Sequence, residues 1–420
     1  MGRPRRAVAR SQTTLSMPSM AILLFIVFID LLGFGVIIPL LPFYGLHFGA
    51  SPAEVTWMMG CYSLAQFVSS PLLGRLSDKI GRRPVLMLSL ACSAAAYIWI
   101  GFASALWMLF AARLLAGAGA GNIAAAQAYI SDVTPPDQRS KGMGLIGAAF
   151  GVGFTLGPAI GGFVSGSQQT AAALARPAFL SAGLSAIAFI LVLVLLKESL
   201  PPEARKAMQR PHRWKLAHEV LTAAPRQALR QLVIVFFTVT TAFAAMETTF
   251  ALWANGAFGW NQEQVGQFFL YVGIVLIIVQ GGLIGRLSKL VGDVKLILVG
   301  AVLIALGLIG VPFSTSLPRL MAASACLALG MGLFNPSINA VISRQAAVDE
   351  RGGIMGVAQS GASLARIAGP LVGGALFGLY GRNAPYFAGA LLMVGAIMLA
   401  LRIPRERSDA AMAKAAGRAS

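Results

Sequence analysis

The chain has 420 residues, of which 57% are hydrophobic and only 11% charged, where a soluble domain carries about 25% charged. So few charges cannot cover the surface of the roughly three soluble domains that this length would suggest, and the 47 glycines and 21 prolines sit inside long apolar runs, which excludes disorder. The net charge of +18 raises nucleic acid as a partner, but where the charges fall matters more than their sum.

Twelve apolar segments are long enough to cross a membrane at about 20 residues each. Their expected limits are 20–42, 54–74, 84–103, 105–130, 142–165, 173–196, 231–254, 264–285, 294–313, 317–343, 353–379 and 384–402. The opening MGRPRRAVAR resembles the start of a signal peptide. The run that follows is about 22 residues long, lacks an A-x-A site near its end and precedes eleven more spans, so an uncleaved first helix is expected. With the N-terminus inside, 28 of the 33 lysines and arginines fall on the inner side. Arg176, Arg319 and Arg382 fall outside, and Arg113 and Arg366 lie within spans. This split predicts both termini in the cytoplasm. The basic balance then becomes a cytoplasmic face against anionic lipid headgroups, with no nucleic acid implied. The expected location is the plasma membrane, which in a bacterium is the inner membrane, crossed many times by an all-α chain.

The hydrophilic stretch Lys197 to Arg230 divides the spans six and six. Its prolines and eight basic residues predict a linker, with a short surface helix through RWKLAHEVL. The expected organisation is an N-terminal six-helix half at 1–196, a cytoplasmic linker at 197–230, a C-terminal half at 231–402 and a cytoplasmic tail at 403–420. The halves repeat each other. LLGRLSDKIGRRPVLML after the second span matches LIGRLSKLVGDVKLILV after the eighth, shifted by 211 residues. Arg139 with Gly157-Pro158-x-x-Gly161-Gly162 matches Arg351 with Gly369-Pro370-x-x-Gly373-Gly374, shifted by 212. Two similar halves in one orientation form the parallel-repeat layout of a transporter with a central site.

Four ionisable residues fall inside spans: Asp30, Arg113, Glu247 and Arg366. Each costs roughly 2.5–3.5 kcal/mol there, so each is a functional candidate, with structural ion pairing as the plain alternative. A buried carboxylate can exchange a proton as its site opens to each side, and an arginine that moves between states converts rearrangement into proton release. Polar candidates for contact with a substrate are Gln66, Asn122, Gln127, Gln280, Asn335, Asn339 and Gln359, and hydrogen bonding between helices is the alternative for each. Phe34, Tyr62, Phe250, Trp253, Phe269 and Phe334 are read as packing or lipid-facing residues. Gly153, Gly157 and Gly161, with Pro158 beside them, allow close helix approach and a bend in the fifth span. In the turn after the second span, Gly74 and Gly81 permit a tight reversal, and Arg75, Lys79, Arg82 and Arg83 hold it at the headgroups, with Asp78 the single carboxylate among them. GAGAGN at 117–122 follows no strand and is not read as a nucleotide loop. No GxxxxGK[ST] motif exists, the three cysteines lie in apolar runs, and the three histidines show no metal spacing, so no cofactor or metal is expected.

GRLSDKIGRRP (Gly74 to Pro84) resembles the signature of the major facilitator superfamily. IDLLGFGVIIPLLP, RLLAGAGAGN and GAAFGVGFTLGPAIGG are similar to the drug:proton antiporter branch, particularly tetracycline-efflux-like members. The resemblance covers nearly the whole chain and implies that fold. It implies that Gly74, Asp78, Gly81, Arg82 and Arg83 form a conformational latch, with Asp78 docking near the eleventh helix N-terminus around Gly352 and Gly353 in the outward-open state. It also implies that the glycines and Pro158 of the fifth helix lie at the interface between halves and suppress leakage. In the second copy Lys289 replaces Asp78. The expected activity is proton-coupled efflux of a small lipophilic compound by a monomer, through Asp30, Arg113, Glu247 and Arg366. Transport of a sugar, amino acid or other metabolite is the alternative, and a receptor or scaffold without transport is a remote one. No nucleophile–base pair suggests an enzyme.

Overall fold

The computed structural model describes residues 17–134, 139–168, 170–200, 219–220, 222, 226–346 and 350–403. All of the predicted surface helix at 213–221 except Glu219 and Val220, most of the linker and all of the tail after Ile403 lie outside the described residues. Among the described residues twelve long helices follow one another: α1 (Met20–His47), α2 (Pro52–Ile80), α3 (Arg82–Gly101), α4 (Leu106–Val133), α5 (Arg139–Ser165), α6 (Ala171–Leu195), α7 (Gln227–Phe258), α8 (Gln262–Val291), α9 (Asp293–Gly310), α10 (Leu317–Gln345), α11 (Arg351–Tyr380) and α12 (Ala384–Leu401). Eleven are long and apolar enough to cross a membrane, which makes this a multi-pass membrane protein. The other, α2, has 29 residues but is diluted by Glu54, Ser63, Gln66, Ser69, Arg75, Asp78 and Lys79. At 1.5 Å per residue it still extends about 43 Å.

The signature turn is shorter than its sequence suggests. Gly74 and Asp78 lie within the last turns of α2, and the reversal falls on Gly81 alone, whose φ of 110° is a conformation that favours glycine. Gly292 does the same between α8 and α9, with φ of 84°. At the opposite end, Ser51 begins α2 with a capping box to Glu54, and Asn261 begins α8 with one to Gln264, so corresponding helices of the two halves start alike. We refer to the side bearing Gly81 and Gly292 as the basic end and the other as the far end.

Six helices form each half. In the first, α1 packs on α5 and α6, α3 on α6, and α2 on α4. In the second, α7 packs on α11 and α12, and α9 on α10 and α12. The halves meet through α2 with α11 and α5 with α8. Near the far end, Gly60 lies against Pro370 and Gly374 against Thr56 and Ala53. Gly162 lies against Gln262, Glu263 and Gly266, and Gln262 donates from Nε2 to the Gln168 carbonyl at 2.6 Å. Farther along the same pair Thr155 meets Gly273. Toward the basic end, Gly147 and Gly151 of α5 and Gly281, Gly282 and Gly285 of α8 have open space beside them. The two halves are thus closed together at the far end and diverge toward the basic end.

The stripe of Gly153, Gly157 and Gly161 does not face the other half. It presses on α1 of its own half, where a Cβ at Gly157 would stand 2.6 Å from the Gly35 carbonyl carbon. The interface with α8 is made instead by the adjoining face of α5, through Thr155, Pro158 and Gly162. Four-residue spacing selects one helix face, and α1 occupies it.

Candidate functional site

The central residues are brought together by the glycine run of α4. Gly117 rests on the Tyr62 carbonyl and Ala65 of α2, Gly119 on Cys92 of α3, and Gly121 on Leu73 of α2. Such contacts need residues without side chains, which is what GAGAG supplies. The helix is interrupted at Ala120–Gly121 and restarts at Asn122. Asn122 uses Oδ1 to accept the Ile123 N–H at 2.8 Å and Nδ2 to donate to the Asp30 carboxylate.

Asp30 lies in the middle of α1 and is 6% exposed. Its hydrogen-bond partner is this neutral amide, and no ion pair joins it to Arg113. Arg113, 3% exposed, stacks instead on aromatic rings, with its guanidinium carbon 4.5 Å from the Tyr62 centroid and 5.9 Å from that of Phe34. Phe34 packs on Tyr62 at 4.9 Å and on Phe154 of α5 at 5.7 Å. The Nε and Nη1 donors of Arg113 are buried and have no hydrogen-bond partner. A desolvated cation–π contact contributes about 2 kcal/mol. Leaving a buried charged donor unmade costs about that or more per group, so stacking alone does not offset the burial of Arg113.

In the other half, Glu247 of α7 is half-buried and its electrostatic neighbour is Arg366 of α11. Arg366 is exposed between the halves. Tyr62 interacts electrostatically with Arg113, Asp30 and Arg366, so one ring of α2 stands among charges from both halves. The sequence presents Tyr62 and Phe34 as packing or lipid-facing aromatics, and nothing in their local pattern separates them from the other aromatics. The rest of that group differs: Phe250, Trp253 and Phe334 are buried in the core, with Phe269 packed beside Phe250.

The polar candidates divide. Asn122 is engaged with Asp30. Asn335, Asn339 and Gln359 converge, with Asn339 donating to the Asn335 carbonyl at 2.7 Å and Gln359 donating to Asn339 Oδ1 at 3.4 Å. Gln66 is half-buried on α2, and Gln127 is exposed on α4. Gln280 is exposed in the π-helical segment Val279–Leu283 that interrupts α8. A crevice of about 490 Å³ lined by Tyr44, Phe102, Arg176 and Phe179 lies near the far end of α3 and α6, away from these groups. Among the described residues no three His, Cys, Asp or Glu side chains converge as a metal site would require.

At the basic end Asp78, 8% exposed, accepts from Arg82 Nη1 at 2.5 Å. Arg82 Nε also donates to Asp132 of α4 at 3.0 Å, and Glu198 accepts the backbone N–H of Arg82 and of Arg83 at the start of α3. Arg83 donates to the carbonyls of Val192 and Leu193 at the end of α6. Asp132 and Glu198 belong to no motif that marks them in the sequence. The repeat could have found Asp132, because Arg344 occupies the corresponding place 212 residues later and pairs there with Asp293. Docking of Asp78 onto the start of α11 is expected for a state closed at the basic end, and here the halves diverge there.

Comparison with known proteins agrees with this architecture. A family model described as Major Facilitator Superfamily matches residues 23–289 and 281–419. The chain is 29% identical to the class H tetracycline resistance protein of Pasteurella multocida, covering 91% of this chain and 94% of that one. It is 30% identical to the class C tetracycline resistance protein of Escherichia coli, covering 93% and 97%. The solved structure of the human organic anion transporter MFSD10 superposes with a TM-score of 0.68 at 24% identity, covering 91% of this chain and 98% of that one, a likeness of fold. Twelve helices in two repeated halves around a charged centre, matched by the family model along nearly the whole length, give one assignment: the chain belongs to the Major Facilitator Superfamily.

Proposed function

We propose that this transporter expels a small, largely apolar compound, such as a drug or tetracycline-like antibiotic, in exchange for protons moving inward. The observation that carries the reading is Asp30, a mid-span carboxylate held by the neutral side chain of Asn122. A carboxylate in that position is costly as an anion and gains from taking up a proton. The names of the tetracycline resistance relatives support efflux as the direction.

In this reading the basic end is cytoplasmic, both termini lie there, and the membrane is the plasma membrane. The state with halves divergent at the basic end is then inward-facing. Asp30 and Glu247 are the coupling acids, and Arg113 and Arg366 are the cations, each of whose distance from the acid of the opposite half changes as the halves rock. Gln66, Gln127, Gln280, Asn335, Asn339 and Gln359 supply hydrogen bonds to the substrate. Residues 1–196 and 231–402 move as the two halves, joined by 197–230, and Asp78 secures the basic end when it closes.

The test is a susceptibility panel in an efflux-deficient host expressing the chain, with and without a protonophore. Resistance that disappears with the proton gradient is the expected outcome. Unchanged susceptibility to every compound would count against efflux.

A further inference from the structure

We propose that Arg113 docks the substrate, and that the substrate is a planar aromatic anion carrying two coplanar acceptor oxygens, as in a carboxylate or an ionised 1,3-dicarbonyl. This rests on the efflux reading and narrows its substrate class. The guanidinium is buried to 3% exposure, its Nε and Nη1 donors are unpartnered, and no ion pair involves it among the described residues. Asp30, the carboxylate that could have answered it, is held by Asn122. The site therefore has donors in surplus.

The surroundings specify the rest of the ligand. The guanidinium carbon lies over the Tyr62 ring at 4.5 Å, and Phe34 packs against Tyr62 at a tilt of 39°, so the group beside Arg113 meets aromatic surface. Both rings are half-buried, on helices that border the space between the halves. A planar ring system that displaces or intercalates beside Tyr62 keeps the aromatic contacts, and its oxygens complete the guanidinium. Arginine suits this better than lysine, since a planar fork of donors matches paired oxygens and stacks, which an ammonium does not. Arg366, exposed between the halves and within electrostatic range of Tyr62, adds positive potential on the approach.

The test compares three probes of one shape on the purified full-length protein: 2-naphthoate, 2-naphthamide and the 2-naphthylmethylammonium ion. Binding is read by quenching of intrinsic tryptophan fluorescence. The anion should bind the wild-type protein at least about tenfold tighter than the amide, the size expected of a charge-assisted hydrogen bond. Arg113→Lys, which keeps the charge, should erase that preference, and Arg176→Gln in the remote crevice should keep it. Equal binding of the three probes, or preference for the cation, overturns the proposal even if Arg113→Lys fails to fold. An anion preference that survives Arg113→Lys also overturns it, and would mean that the missing acceptor is a protein carboxylate in another state. Movement of each probe in proteoliposomes under an imposed proton gradient separates the two readings. Arg113-dependent anion binding without gradient-driven movement leaves docking and removes coupled efflux. Gradient-driven movement with no anion preference does the reverse.

Discussion

Arg82 and Asp293 hold the same place in the two halves, 211 residues apart, and carry opposite charges. Each begins the helix after a positive-φ glycine, and each pairs with the far residue of the neighbouring hairpin: Arg82 with Asp132 at 3.0 Å, Asp293 with Arg344 at 2.5 Å. The contact is kept while its polarity is exchanged. Both halves therefore carry a bridge at this corner, with opposite direction. Ser288 gives Asp293 a second donor, and Asp78 gives Arg82 a second acceptor.

That exchange predicts that the bridge can be reversed. Asp293 is 7% exposed, so Arg344→Ala strands a nearly buried carboxylate, although Arg344 itself is half-exposed and screened. A loss of about 1–2 kcal/mol is expected, seen as a lower midpoint for thermal unfolding in detergent. The double variant Asp293→Arg with Arg344→Asp should recover most of it. If the double variant is less stable than either single one, polarity matters at this corner and the symmetry argument fails.

Close packing predicts a sharp contrast along α5. A methyl at Gly157 would stand 2.6 Å from the Gly35 carbonyl carbon and 2.8 Å from the Val36 nitrogen, both backbone atoms that cannot step aside alone. Gly157→Ala should therefore cost about 1–3 kcal/mol through displacement of α1. Gly151→Ala, with open space beside it, should be close to neutral in the same melting experiment. Similar melting temperatures for the two would remove the close approach of α1 and α5.

Apolar length made eleven of the twelve long helices legible as spans, because lipid leaves a chain few other ways to satisfy its backbone, and α2 is the one diluted by polar residues. The repeat made the two halves legible, since two long motifs recur at nearly one spacing. What stayed hidden depends on which face of a helix meets which neighbour. Gly74 read as part of a turn because glycine near charges usually signals one, yet α2 continues through it and Gly81 alone makes the reversal. Asp30, Arg113, Glu247 and Arg366 read as a set of scarce intramembrane charges, open to ion pairing among themselves, with no partner fixed for any one of them. The break at Ala120–Gly121 instead delivers Asn122 to Asp30, and α2 lays Tyr62 across Arg113.

Charge placement predicts sidedness. In a background with Cys61, Cys92 and Cys326 replaced, single cysteines at Ser51 and Arg382 should react with a membrane-impermeant maleimide added outside intact cells. Cysteines at Lys79 and Lys289 should react only after the membrane is opened. All four positions are exposed, so access rather than burial decides the labelling. Labelling of Lys79→Cys from outside would invert the topology.

The turn chemistry predicts a kinetic role for Asp78. Asp78→Asn retains a hydrogen bond to Arg82 but removes the charge, and Asp132 remains to hold Arg82. The variant should insert and fold, with substrate affinity near wild type, while transport slows strongly because the basic end no longer closes firmly. Wild-type transport by purified Asp78→Asn would reduce this carboxylate to a local bracing charge.

Asp30 is the first choice over Glu247 as the carrier of protons. It sits in the middle of α1, 6% exposed, with Asn122 as its neutral partner, and in the proposed cycle water reaches it through the space between the halves. Glu247 is less buried and already has Arg366 as a counter-charge, which suits it to sensing the other half or a cationic group. Asp30→Asn keeps the shape and a hydrogen-bonding side chain while removing titration. In proteoliposomes it should abolish transport driven by a proton gradient, yet substrate should still bind and exchange down its own gradient. The double variant Asp30→Asn with Asn122→Asp returns a carboxylate to the same pocket from α4 and should restore part of the coupling, which a merely structural role for Asp30 would not produce. Full gradient-driven transport by Asp30→Asn would dismiss Asp30, and failure of Glu247→Gln in the same assay would then move coupling to α7. Loss of both binding and transport in Asp30→Asn would mean that proton and substrate compete for one carboxylate, an arrangement in which exchange follows from mutual exclusion alone.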